Sequence, residues 1–179
     1  MKPVARYHPL LVSLHWILAV LIIAMLLVGF GLARTPSSNP AKIEVLQWHM
    51  VAGMLILALT IVRLIVRWRT SRPGVATTGH PVADRLAPVT HYSFYVLVIL
   101  MAGTGYATAL IARLPEIVFA RSGAPLPPTF VIYPTRVAHG YIAALLAGLI
   151  ALHVLAALYH HFVRHDGLFR RMFYGQRAR

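Results

Sequence analysis

Ten histidines stand out among the side chains that could do chemistry in this sequence, which has no cysteine and only four acidic residues. Imidazole binds metals and exchanges protons near neutral pH. Two of these residues, His139 and His153, are 14 residues apart, which in an α-helix is close to four turns and about 21 Å. They would therefore project from one face of a helix. The absence of cysteine excludes thiolate metal sites, iron–sulfur clusters and covalent c-type haem attachment.

The histidines lie in or beside four apolar segments. Of the 179 residues, 59% are hydrophobic and 12% are charged, with a mean hydropathy of +0.71, whereas soluble domains have about 25% charged residues. Roughly 20 helical residues span a hydrocarbon core of about 30 Å. The composition excludes a water-soluble domain. The length of the apolar runs predicts an all-α integral membrane protein, a four-transmembrane-helix bundle that forms a single membrane domain over residues 1–179. The predicted helices cover approximately residues 10–33, 45–67, 86–112 and 137–163.

The distribution of basic residues predicts the orientation of the bundle. There are 17 Lys and Arg against 4 Asp and Glu, a formal net charge of +13. Twelve basic residues fall in the two tails and the second loop, and five in the first and third loops. By the positive-inside rule both termini are cytoplasmic. A nucleic-acid partner is not expected, because the apolar fraction is too high for a basic nucleic-acid-binding module.

Depth within the predicted bundle pairs four histidines. His49 and His139 lie near the outer ends of the second and fourth helices, while His15 and His153 lie nearer the cytoplasm. A haem iron with two axial imidazoles requires a histidine from each of two facing helices at equal depth. The sequence therefore predicts two non-covalent b haems, one for each pair. His91 on the third helix is a competing ligand for the inner site.

Two arginines follow the same face of the second helix. Arg63 comes 14 residues after His49, so it lies near the cytoplasmic side, where the propionates of the inner haem are expected. A carboxylate would stabilise a half-buried arginine, and Arg67 lies one turn further on. Snorkelling to the interface explains both residues equally well. Gly53 and Gly140 would permit close packing of a flat macrocycle or of another helix.

Together these motifs resemble the bacterial cytochrome b561 family over nearly the whole chain. The matching stretches are Ser13-Leu14-His15-Trp16, His49-x-x-x-Gly53, Ile61-Val62-Arg63-x-x-x-Arg67, and in the fourth helix His139, His153 and His160-His161. The resemblance implies a multi-pass protein of the bacterial inner (cytoplasmic) membrane with four transmembrane helices. It also implies two b haems, and a quinone that accepts electrons. The haem ligands would be His15, His49, His139 and His153.

Within the family, the likeness is greatest to members that oxidise superoxide and reduce ubiquinone. That likeness implies an oxidoreductase that takes electrons from superoxide on the periplasmic side, with dioxygen and quinol as products. The alternative is a b-type haem subunit that relays electrons between a partner dehydrogenase or hydrogenase and the quinone pool. No catalytic residue is assigned under either hypothesis.

A quinone carbonyl that becomes a hydroxyl needs a titratable donor, and histidine suits this role near neutral pH. His91, His160 and Trp16 lie at the predicted cytoplasmic boundary, so they are the candidates for contacting the quinone. The same boundary position also suits an interfacial cluster near lipid headgroups.

The outer loops carry a net positive charge that would attract an anion. The candidates for steering superoxide are Arg113, Arg121 and Arg136. A cleft of one charge sign raises the association rate of an oppositely charged substrate by about 10- to 10³-fold. The same residues would also suit solvated loop ends or lipid phosphate, and the sequence does not separate these roles.

Overall fold

In the computed structural model, the described residues are 6–71, 73–74 and 81–175, and every regular element in them is a helix. The α-helices are α1 (Pro9–Arg34), α2 (Ala41–Arg69), α3 (Pro81–Ile111), α4 (Leu114–Val118) and α5 (Pro134–Tyr159). A π-helical turn, His160–Arg164, continues α5, and a 3-10 turn, Phe169–Met172, follows. Four segments have the length and hydropathy to cross a membrane: Pro9–Arg34, Ala41–Arg69, Pro88–Ile111 and Pro134–Arg164. The predicted four membrane helices are therefore confirmed.

Prolines mark the starts of the long helices. Pro9 and Pro134 begin α1 and α5, because proline has the φ angle of a helix and its missing N–H is not needed in the first turn. Pro40 precedes α2, where the Asn39 side chain accepts the Ala41 N–H at 3.0 Å. As a result, α2 begins at Ala41 and α5 at Pro134, ahead of the starts expected from the apolar runs.

The four long helices form two pairs. α1 packs along α2, and α3 packs along α5. At mid-depth each helix contributes one buried side chain to a common apolar cluster: Leu18, Ile56, Val98 and Leu146. Leu146, which is 2% exposed, lies seven residues from His139 and seven from His153, about two turns in each direction. An apolar layer therefore separates the two histidines of α5.

The two ends of the bundle differ. At one end, called the terminal end here, the first and last described segments meet, since the Tyr7 N–H donates to the Arg171 carbonyl. The segment 165–175 folds back beneath α1, where the Trp16 indole N–H donates to the Met172 carbonyl at 2.9 Å. The hydroxyls of Ser13 and Tyr174 are also 2.9 Å apart. This segment thus closes the terminal end.

The opposite end, called the distal end here, contains a helix that was not anticipated from the sequence. α4 begins immediately after Arg113, whose left-handed backbone (φ 54°) turns the chain out of α3. Leu114 and Val118 are buried with Leu126 in a second apolar cluster. The proline-rich third loop is consequently packed against the bundle and is not an extended connection.

Candidate functional site

Two histidines from different helix pairs face each other near the distal end. The ring centroids of His49 on α2 and His139 on α5 are 6.3 Å apart, and their planes make an angle of 72°. A histidine nitrogen lies about 2 Å from the metal that it binds, so two imidazoles on opposite sides of one metal have centroids roughly 6 Å apart. The distance within this distal pair, His49 and His139, fits two axial ligands of one iron.

The hydrogen bonds of the distal pair also fit metal binding. His139 Nδ1 lies 2.9 Å from the Met101 carbonyl, which can only accept, so Nδ1 carries the proton and Nε2 is left with its lone pair. Histidine ligands of metals characteristically donate their other nitrogen in this way. His49 Nδ1 is buried and has no hydrogen-bond partner among the described residues. A buried nitrogen without a protein partner fits a side chain that contacts a bound group.

Each ring of the distal pair rests against a glycine of the neighbouring helix. A Cβ atom at Gly29 would lie 3.2 Å from His49 Cε1, and one at Gly105 would lie 3.1 Å from His139 Cε1. Both distances are shorter than a normal carbon–carbon contact of about 3.5–4.0 Å. The absence of a side chain at these two positions therefore permits the observed ring positions.

These glycines were missed by the sequence analysis, which selected Gly53 and Gly140. A Cβ at Gly53 would meet no atom of the described chain within 4 Å, and one at Gly140 would lie 3.1 Å from Arg136 Nη1. No sequence signal pointed to Gly29 or Gly105, because each acts on a histidine of a different helix.

A second group of histidines lies nearer the terminal end. The His153 ring centroid is 6.3 Å from that of His15 and 5.9 Å from that of His91. The Phe94 ring packs against His153 as well, at 5.3 Å. Both His15 and His91 thus lie at a distance from His153 that fits two ligands of one iron. The structure brings together the expected pair and also its competitor, and it gives no preference between them.

Arg63 and Arg67 of α2 lie beside this terminal cluster, which consists of His15, His91 and His153. Arg63 Nη1 donates to the Leu11 carbonyl at 2.7 Å, and its charge acts on all three histidine rings. Arg67 lies over the Tyr92 ring at 5.7 Å, and its Nε is buried with no hydrogen-bond partner among the described residues. A buried guanidinium N–H without a partner beside an imidazole cluster fits a carboxylate such as a haem propionate.

The three quinone candidates have different surroundings. Trp16 packs against His15, with ring centroids 5.2 Å apart, but its indole N–H is already used by the Met172 carbonyl. His91 belongs to the terminal cluster. His160 instead lies in the π-helical turn, with its Nδ1 2.5 Å from Asp166 Oδ2.

Asp166 was not selected by the sequence analysis, because it lies six residues beyond His160 and after the end of the helix. Burial alone would raise the pKa of its carboxyl, but the hydrogen bonds from His160 and from the Leu168 N–H, with the nearby charge of Arg164, hold that pKa below its usual value. The carboxylate is therefore charged at neutral pH. The structure thus adds a fixed negative charge beside one quinone candidate.

Only one of the three arginines proposed to steer an anion lies beside the distal pair. The charge of Arg136 acts on both His49 and His139. Arg113 forms an exposed salt bridge with Glu116 at 3.2 Å. Arg121, also exposed, lines an open groove of about 780 Å³ with Trp48 and residues of α4.

A buried lysine accompanies Arg136 at the distal end. Lys42 is only 7% exposed; its Nζ donates to the Thr35 carbonyl at 2.6 Å and lies 5.3 Å from the centre of the Phe130 ring. The Arg136 charge acts on Lys42 too. Neither cation forms an ion pair with a carboxylate in the described part of the chain. In the sequence, Lys42 is one of the five basic residues of the first and third loops, and nothing there marks it as buried.

Comparisons with known proteins agree with this architecture. The family described as prokaryotic cytochrome b561 matches residues 6–175. A protein of Yersinia pestis called probable superoxide oxidase CybB is 28% identical over 178 residues, covering 93% of this chain and 95% of that protein. Cytochrome b561 homolog 2 of Escherichia coli (strain K12) is 22% identical over 170 residues, covering 93% of this chain and 90% of that protein. The chain belongs to the prokaryotic cytochrome b561 family.

Proposed function

We propose that this protein is a membrane oxidoreductase that transfers electrons from superoxide to ubiquinone. Two superoxide anions, one quinone and two protons would give two dioxygen molecules and one quinol. The observation that carries the proposal is the presence of two histidine sites at different depths, each with ring centroids 6.3 Å apart. A relative is named probable superoxide oxidase, which supports superoxide as the electron donor.

The family implies b-type haem, and the two histidine sites fit one haem each. His49 and His139 would hold the first. His153 would hold the second with His15, or with His91 in its place. When bound, such haems supply one-electron redox chemistry, while the protein supplies ligation, orientation and electrostatics. The apolar layer around Leu146 would keep water and ions out of the space between the two sites.

The protein is a bacterial multi-pass membrane protein, and we place it in the inner membrane with the terminal end in the cytoplasm. The excess of basic residues in the tails and the second loop supports this orientation. The distal end would then face the periplasm, where superoxide would be collected, and quinone would bind nearer the cytoplasm.

Positive charge at the distal end would bind the anionic donor. Arg136 lies beside the distal pair and Lys42 lies near Arg136, and neither cation has a carboxylate partner in the described chain. Their field would concentrate superoxide next to His49 and His139. It would act more strongly than the field of exposed loop charges, because Lys42 is buried and Arg136 is partly buried, and such charges are screened less by salt.

The test is quinol formation by the purified protein, supplied with enzymatically generated superoxide and a short-chain ubiquinone. We expect quinol to form in proportion to superoxide and to disappear when superoxide dismutase is added. The His139→Ala variant is expected to be inactive, and the exposed His165→Ala variant to retain activity. Absence of quinol with superoxide, together with co-purification of a reducing redox subunit, would instead identify an electron-relay subunit.

A further inference from the structure

An open groove at the distal end lies between the first turns of α2 and the segment that follows α4. Its volume of about 780 Å³ is within the range of roughly 300–1,000 Å³ that is usual for ligand sites. The apolar part of its lining consists of Pro40, Ile43, Trp48, Ile117, Val118 and Pro125. Ile117 and Val118 also belong to the apolar cluster that packs α4 against the bundle, so this wall of the groove is fixed by packing.

The depth of the groove matches the boundary between lipid headgroups and hydrocarbon. α2 carries no Lys, Arg, Asp or Glu from Val45 to Val62, a length of about 27 Å that fits the hydrocarbon core. Glu44 directly precedes this stretch, so it lies at the level of the headgroups. Trp48, one turn further on, is 65% exposed, and tryptophan is enriched at this boundary in membrane proteins. The groove therefore faces lipid, with a charged rim at headgroup depth.

Two charges of opposite sign line this groove. Glu44 lies on α2, and Arg121 lies shortly after α4. Both are exposed, and neither forms a salt bridge with the other or with a further residue of the described chain. At the same end of the bundle Arg113 and Glu116 do pair, at 3.2 Å. A ligand that carries both an anion and a cation would therefore meet an unpaired opposite charge on each wall.

The backbone at Arg121 is unusual for an arginine. Its φ of 48° is in the left-handed region, which glycine adopts more readily than residues with a side chain. Hydrogen bonds hold this turn, since the Ser122 N–H donates to the Glu116 carbonyl at 3.1 Å and the Ala124 N–H donates to Ser122 Oγ at 3.3 Å. A side chain kept at a position where glycine would be less strained points to a role for that side chain.

We propose that this groove binds a zwitterionic phospholipid of the ethanolamine type. The Arg121 guanidinium would bind the phosphate, because its N–H groups are arranged in a geometry that suits phosphate oxygens. The Glu44 carboxylate would accept hydrogen bonds from the primary ammonium group. An acyl chain would lie along the apolar surfaces of Trp48, Ile117 and Val118. The bound lipid would join α2 to the segment after α4 and so stabilise the distal end.

The experiment measures lipid binding to the delipidated holoprotein in detergent by native mass spectrometry. Phosphatidylethanolamine, phosphatidylcholine and phosphatidylglycerol with identical acyl chains are added at equal concentrations. We expect a several-fold preference for phosphatidylethanolamine, because the choline group has no N–H to donate and the glycerol group has no positive charge. The melting temperature of the protein should also rise as phosphatidylethanolamine is added, since a ligand of the folded state stabilises it.

Two variants separate the roles of the two charges. Arg121→Gln should weaken the binding of all three phospholipids by about tenfold, since each contains the phosphate. Glu44→Gln should weaken phosphatidylethanolamine binding to the level of phosphatidylcholine. Arg113→Gln is the matched control, because it removes the same charge as Arg121→Gln from a residue that pairs with Glu116 outside the groove. It should bind all three lipids like the wild type.

Two results would overturn this assignment. Equal binding of the three phospholipids by the wild type, or wild-type binding in Arg121→Gln, would describe lipids that only surround the bundle. A dimer that Arg121→Gln dissociates would mean that a second copy of the chain covers the groove. Glu44, Arg113 and Arg121 are all exposed, so the haem spectra of the three variants should match the wild type, and the lipid preference of the wild type tests the groove without any substitution.

Discussion

A single methyl group on α3 should disturb one histidine of the distal pair. In Gly105→Ala the new Cβ would lie 3.1 Å from His139 Cε1 and 3.3 Å from His139 Nδ1. Normal contact requires about 3.5–4.0 Å, so the imidazole would have to move by roughly half an ångström. Its Nδ1 is bonded at 2.9 Å to the carbonyl of Met101 on the same helix, so this movement would also strain a hydrogen bond.

The size of the effect can be isolated with a matched control on the same helix. A Cβ at Gly103, two residues away, would meet no atom of the described chain within 4 Å. Both substitutions gain the intrinsic helix preference of alanine over glycine, about 0.8–1 kcal/mol in water, and only Gly105→Ala also has the overpacking cost of about 1–3 kcal/mol. The difference between the two variants is therefore expected to be about 1–3 kcal/mol in unfolding free energy.

The assay combines thermal unfolding of the purified holoprotein with its reduced-minus-oxidised spectrum. We expect Gly105→Ala to unfold at a lower temperature than Gly103→Ala and to show an altered or partly lost signal from one haem, with the signal of the other haem unchanged. Equal melting temperatures and identical spectra in the two variants would refute the argument, because they would mean that the Gly105 backbone does not limit the position of His139.

Three other outcomes are expected from the geometry. Of the variants His15→Gln and His91→Gln, only one should lose a haem by absorption spectroscopy, because an iron bound to His153 would take only one further histidine. Retention of both haems in both variants would contradict a bis-imidazole site at His153. Arg136→Gln should slow the second-order reaction with superoxide by about tenfold at low salt, whereas the exposed Arg121→Gln should change it little, which stopped-flow rates at several ionic strengths would measure. Trp16→Phe should reduce the unfolding free energy by about 1 kcal/mol, since it removes the hydrogen bond to the C-terminal segment, and unchanged thermal unfolding would count against that contact.

The sequence alone was sufficient to predict features that depend on one helix at a time. The 14-residue spacing of His139 and His153 predicts a shared face, and the structure indeed directs one toward His49 and the other toward His15. The apolar runs likewise predicted four membrane helices, and the motifs around His15 and Arg63 identified the family that the comparison with known proteins confirmed. These predictions need only helical periodicity and the thickness of a bilayer.

Predictions that depended on contacts between helices were less complete. Depth alone could not show that His91 lies as near to His153 as His15 does, because two residues at similar depth differ by the rotation of their helices about their own axes. The same limit hid the contacts of Gly29 and Gly105 with the distal pair. Asp166 was missed because a π-helical turn and a left-handed residue bring it back to His160.

What the sequence determined by itself is a basic, cysteine-free chain of four apolar helices with histidines repeated along one helix face. These properties follow from composition, from 3.6 residues per turn and from the cost of unpaired charge in lipid. Only the tertiary structure decided which imidazoles face each other, which glycines permit their positions and which cations stand beside them. The physical reason is that these relations depend on how helices rotate and pack against one another, and such packing is determined by all four helices together.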